Sequence, residues 1–160
     1  MAQSRKIVHL RHSRNGMLFF LCTTFTQSGL FTIQRFISMN FPQLLQRAEH
    51  IVIRTQRALP TDVREIAFAL PVIFESAPNP ELRAEGVDDD TLGLFVGPAH
   101  GENSGPDPLS SQIILYLENI WDYAEGDPAL FDEEVRLTYL HELGHYLRLD
   151  EGDLERRGLG

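Results

Sequence analysis

The chain has 160 residues, enough for one domain with a real core and not for two, and its 42% hydrophobic and 23% charged residues are the balance of a globular protein. The net charge of −9 is uneven: residues 1–38 hold five basic residues and no acid, which leaves nine basic against 23 acidic residues over 39–160, a net of −14. So acidic a body argues against a nucleic-acid partner, and the single cysteine, Cys22, excludes an internal disulfide framework and fits a reducing cytoplasm.

Residues 1–38 read differently from the rest. A basic start is followed by the apolar run Met17-Leu18-Phe19-Phe20-Leu21-Cys22, far too short to span a bilayer, so no membrane partner is expected. The run faintly resembles a signal peptide, but Thr26-Gln27-Ser28-Gly29 is a poor cleavage site. Three readings stay open: a disordered extension or gene-start artefact with translation from Met39, an extra strand or helix packed on the domain, and a targeting segment. The first is preferred, which sets the boundaries at 1–38 for the extension and 39–160 for the domain.

Beyond that point the pattern is orderly. Asn40 is an N-cap, and Leu44, Leu45, Ala48, Ile51, Val52 and Leu59 give an amphipathic helix over 41–59, stopped by Pro60. The apolar run 66–74 reads as a buried strand, with Pro71 implying an edge position or a bulge. Residues 76–90 read as a polar loop. Its acidic end, Asp88-Asp89-Asp90, lacks the ligand spacing of a calcium loop and is read as solvated. Strands are expected over 91–97 and 111–117, separated by a Gly/Pro/Asn loop that contains His100. A short helix follows over 118–124. A long one then begins after Asp127-Pro128, a cap followed by proline at the first helical position, and runs to about 149. Helix, strands, then helices means an α+β fold.

The long helix carries the chemistry, in the stretch His141-Glu142-Leu143-Gly144-His145. Histidines four apart lie on one helix face, so two neutral imidazoles can reach one zinc ion. Glu142 projects beside that pair, where it can hold a zinc-activated water as general base.

The C-terminal part resembles the small bacterial zincin-like metallopeptidase family, the minimal zincins. Four stretches carry the likeness: Leu92-Gly93-Leu94-Phe95-Val96-Gly97; Ile113-Ile114-Leu115-Tyr116; Glu133-Glu134-Val135-Arg136 leading into the histidine motif; and Leu149-Asp150-Glu151-Gly152-Asp153-Leu154. It covers roughly 40–160. The resemblance implies a compact domain with a small mixed sheet packed on helices, and a zinc site on the long helix. It also implies an extended motif, H-E-x-x-H-x-x-G-x-x-D, whose last acid is a third ligand. Glu151 stands at that last position, ahead of Asp153 and Asp150 as alternatives. Arg148 stands where the family has glycine, the residue that lets the chain leave the helix in a left-handed conformation. Arginine can adopt that conformation at about 1–2 kcal/mol; the turn is otherwise expected to slip, as far as Gly152.

The expected activity is therefore zinc-dependent hydrolysis of peptide bonds, with a peptide or protein substrate adding as a strand along 92–97. The alternative is a zinc-stabilised binding module without useful turnover; an intact Glu142 favours the enzyme. The remaining candidates have plainer readings. His50 is a surface or half-buried helix residue, and His100 a loop histidine. Tyr116, Tyr139, Tyr146 and Trp121 pack the core, and Arg136 pairs with Glu133 or another acid.

Overall fold

The computed structural model describes residues 39–102 and 110–159, together with the backbone of Val8–His9; the apolar run 17–22 and the poor cleavage site lie outside the described residues. Val8–His9 form a short strand, β1.

Helix α1 (Phe41–Ala58) starts where the sequence says it should. Asn40 Oδ1 accepts from the Gln43 amide at 3.2 Å, and Gln43 Oε1 accepts from the Asn40 amide at 2.9 Å, a reciprocal cap that satisfies two otherwise orphaned donors. Leu44, Ala48, Ile51 and Val52 form its buried stripe.

The apolar run 66–74 is not one strand. Residues Thr61–Ala69 form helix α2, and only Val72–Glu75 are strand, β2. Pro71 makes the switch: its ring disfavours helical backbone at the residue before it, and Leu70 is accordingly extended. An apolar run of this length carries no period that separates a buried helix turn from a strand. The polar loop 76–90 is also more ordered than expected. It contains the short helix α3 (Pro80–Ala84), capped by Asn79 Oδ1 on the amides of Glu81 and Leu82.

Strands β3 (Gly93–Val96) and β4 (Gln112–Tyr116) follow, then helices α4 (Leu117–Tyr123), α5 (Pro128–Tyr146) and α6 (Glu151–Glu155). The sheet order is β1-β3-β4-β2. β2 runs parallel to β4, whereas β4–β3 and β3–β1 are antiparallel, so the sheet is mixed and the fold is α+β. Pro71 precedes an edge strand, where a missing amide costs nothing to the ladder.

Phe131, Val135, Tyr139 and Leu143 recur every four positions on α5 and meet α1, α4 and the inner sheet residues Ile113 and Leu115 in the main core. Polar ties fix the register. Gln56 Nε2 donates to the Tyr139 hydroxyl at 3.1 Å and to the Ala67 carbonyl at 3.2 Å, joining α1, α5 and α2. The Arg47 guanidinium grips the Asp132 carboxylate with both nitrogens and also donates to the Pro128 carbonyl, clamping α1 to the start of α5. Arg136 pairs with Glu133 one turn away, which holds the Glu133 carboxyl below its usual range. Trp121 packs edge-on against Phe131.

Candidate metal centre

The last two turns of α5 lie against β3, and the contact is possible because β3 begins with glycine. A Cβ on Gly93 would stand 2.5 Å from Thr138 Cγ2 and 3.2 Å from Glu142 Cγ. This close approach buries the motif: His141 is 1%, Glu142 0% and His145 8% exposed.

The helix ends at Tyr146, earlier than the sequence pattern suggests, in a left-handed cap. Arg148 carries the positive φ, 67°, at the position where the family has glycine. The Leu149 amide bonds back to the Gly144 carbonyl and the Arg148 amide to the His145 carbonyl, both at 3.0 Å, so the final carbonyls of α5 are satisfied. The turn has therefore not slipped to Gly152, which lies inside α6. Contacts of the arginine itself hold the strained backbone. Its Nε donates to the His100 carbonyl at 3.1 Å, and its guanidinium stands 3.7 Å from Glu102. His100 in turn donates its amide to the Tyr146 carbonyl at 2.8 Å and packs edge-on against the Tyr146 ring. The loop after β3 is thus docked on the helix end.

That turn delivers Glu151. Its Oε1 lies 3.3 Å from Nε2 of His145 and its Oε2 3.9 Å from Nε2 of His141; the two Nε2 atoms are 2.8 Å apart. One donor atom from each of the three falls within 4.8 Å of the others, a group that could hold a metal ion. The competing acids are engaged elsewhere. Asp150 caps α6 by accepting from the Asp153 amide at 2.8 Å, and Asp153 pairs with Arg156 at 2.7 Å.

The donor set fits zinc. Metal–nitrogen bonds of about 2.0–2.1 Å in tetrahedral geometry put donor atoms about 3.4 Å apart, and the three separations here bracket that value. The hydrogen bonding fits too. His141 Nδ1 is 2.6 Å from the Leu159 carbonyl oxygen, which can only accept, so Nδ1 is the donor and, in the neutral ring, Nε2 is the nitrogen available to a metal.

The site opens into a cleft of about 360 Å³ lined by Phe95, Ala99, Glu102, His145, Arg148 and Glu151 among others. Glu142 sits one residue along, against the Gly93 end of β3. Burial, and then the negative charges of Glu75 and Glu142, keep the Tyr116 phenol protonated well above its ordinary range.

A family model for zincin-like metallopeptidases matches residues 68–159, more than half of the chain. The chain belongs to this zincin-like metallopeptidase family. Comparison with curated proteins gives no match. Membership carries with it a hydrolase and a peptide or protein substrate class. Among the described residues no helix of this zincin is long and apolar enough to cross a membrane.

Two features of the site have no counterpart in the sequence reading. The Leu159 carbonyl is a backbone atom and leaves no residue-type signal. Glycine at Gly93 is visible in the sequence, but its reason, the pressure of Thr138 and Glu142, is a tertiary contact. Of the other candidates, His50 is exposed on α1, and Tyr116 and Tyr139 are buried.

Proposed function

We propose that this zincin is a zinc-dependent metallopeptidase, with His141, His145 and Glu151 as the metal ligands and Glu142 as the catalytic base. The observation that carries this reading is the convergence of the three donor side chains, two of which, His145 and Glu151, line an open cleft, next to the buried Glu142 on the same helix as the histidines. Zinc, when bound, supplies the Lewis acidity that polarises the scissile carbonyl and acidifies water. The chain supplies the rest. Glu142, excluded from bulk solvent, takes a proton from the attacking water and hands it to the leaving amine. Residues 97–102 after β3 and the Arg148 turn line the cleft beside these donors.

The substrate backbone is expected to lie along β3 as an added antiparallel strand. In the structure Val8–His9 already pair antiparallel with Phe95 and Leu94, so this edge of β3 is taken and a peptide would have to displace them to add there. Residues 39–160 are taken as the catalytic domain, in a cytoplasmic setting suited to the lone Cys22. The test is elemental analysis of protein purified without chelator, combined with a mixed peptide library read by mass spectrometry. One zinc per chain and cleavage are expected. A zinc content near zero that stays there on zinc addition overturns the reading.

A further inference from the structure

The chain does not end its contribution to the site at Glu151. Helix α6 is anchored by Leu154, fully buried against Gly144, where a Cβ would stand 2.4 Å from Leu154 Cδ2. A second left-handed cap follows. Gly158 has φ +70°, its amide donates to the Glu155 carbonyl at 2.9 Å, and the Leu159 amide donates to the Leu154 carbonyl at 3.0 Å. This turn reverses the chain and brings the Leu159 carbonyl onto His141 Nδ1 at 2.6 Å. Two left-handed turns therefore serve one centre: the turn on Arg148 delivers Glu151, and the turn on Gly158 brings the Leu159 carbonyl to His141 Nδ1.

We propose that the Gly158 turn is a positioning element of the metal site: through the Leu159 carbonyl it locks His141 in the tautomer and ring orientation that present Nε2 to the ion. The inference rests on the metal-ligand role given to His141 above. An imidazole with no partner at Nδ1 populates both tautomers and turns about its Cβ–Cγ bond; a fixed acceptor removes both freedoms before the metal arrives. The acceptor here is main chain, so no side-chain substitution at Leu159 removes it. Backbone conformation at Gly158 is the handle. A Cβ at Gly158 meets nothing within 4 Å, so a substitution there acts through φ alone and not by a clash.

The experiment uses the full chain and three variants graded by their tolerance of positive φ: Gly158→Asn, Gly158→Ala and Gly158→Val. Zinc affinity is read by competition with a chromophoric chelator. The tautomer of His141 is read in the metal-free protein by long-range 15N–1H correlation. The Asn variant should bind zinc within a few-fold of wild type. The Ala variant should bind about 10–100-fold more weakly, the usual effect of losing an outer-shell partner, and the Val variant more weakly still. The Nδ1–H form of His141 should dominate in wild type and give way in the same order. Equal zinc affinity in the Asn, Ala and wild-type proteins, with an unchanged His141 tautomer, overturns the proposal, and that comparison stands even if the Val variant does not fold. Should wild type bind no zinc, the ligand assignment fails instead, and the tautomer series in metal-free protein still decides whether the Gly158 turn sets His141.

Discussion

Gly93 on β3 and Glu142 on α5 meet across the strand–helix contact so closely that a single added methyl group would press on the glutamate, 3.2 Å from its Cγ. Gly93→Ala is therefore expected to act twice. Overpacking against Thr138 should cost about 1–3 kcal/mol, measured by chemical denaturation. Displacement of Glu142 should lower peptide turnover by about tenfold or more, as small misplacements of reacting groups do, while zinc affinity stays close to wild type. Unchanged turnover would show that the strand does not position the base.

Glu142→Gln keeps the size of the side chain and removes its capacity to accept a proton. Hydrolysis should fall by ~10²–10⁴-fold with zinc retained. His141→Ala should lose metal and activity together. Zinc content and turnover measured side by side separate the two effects; equal cleavage by wild type and Glu142→Gln would refute the base assignment.

Glu151→Ala should weaken zinc binding by more than the roughly 10–100-fold that an outer-shell change brings. Asp150→Ala removes the cap of α6 and should cost about 0.5–2 kcal/mol of stability, and Asp153→Ala removes the partner of Arg156. Neither should approach the loss of affinity at Glu151. Calorimetric titration of the three variants gives the order, and a larger loss at Asp150 or Asp153 would reassign the third ligand.

Arg148 sets backbone strain against side-chain contacts, and two substitutions pull these apart. Arg148→Gly relieves a left-handed penalty of about 1–2 kcal/mol but gives up the bonds to His100 and Glu102, so its melting temperature should move little. Arg148→Ala keeps the strain and loses the contacts, and should melt lower than either protein. If the alanine variant were as stable as wild type, the docking of the β3–β4 loop would owe nothing to the guanidinium.

A protein beginning at Met39 should fold and bind zinc as the full chain does, since the core elements begin with α1. It also lacks Val8–His9, which pair with β3, so the strand edge proposed for substrate is open and peptide KM should fall. Insolubility of that protein, or a much lower melting temperature, would show that part of residues 1–38 is needed to hold the fold.

The site was legible in the sequence to the extent that it is made of side chains at helical spacing. His141, Glu142 and His145 lie within four steps of one helix, and the cap at Asp127 and the stripe through Phe131 and Val135 give that helix away. Position 148 announced a problem without its solution. Arginine at a glycine position leaves a strained turn and a slipped one both open until the docked loop is seen, because the bonds to His100 and Glu102 bridge residues far apart in sequence. The strand at 66–74 failed for a local reason: helix α2 and β2 meet at Pro71, and apolar content alone does not mark the change. The pairing of Val8–His9 with β3 is carried by main-chain bonds that no residue type encodes.

The three donors lie close in the chain as well as in space: Glu151 follows His141 by ten positions, with one helix end and one turn between them. The scaffold is the opposite, since β2 must find β4 across some forty residues and pairs with it in parallel. Closing so short a loop around an ion costs little entropy even in an unfolded chain. Zinc would thus have a foothold on the unfolded protein, and whatever it gained there would be subtracted from the stability it lent the native state. The folded domain should consequently gain less from zinc than the affinity of the finished site implies. Chelation should loosen the segment after Tyr146, while the mixed sheet, whose register contains no metal ligand, keeps its shape.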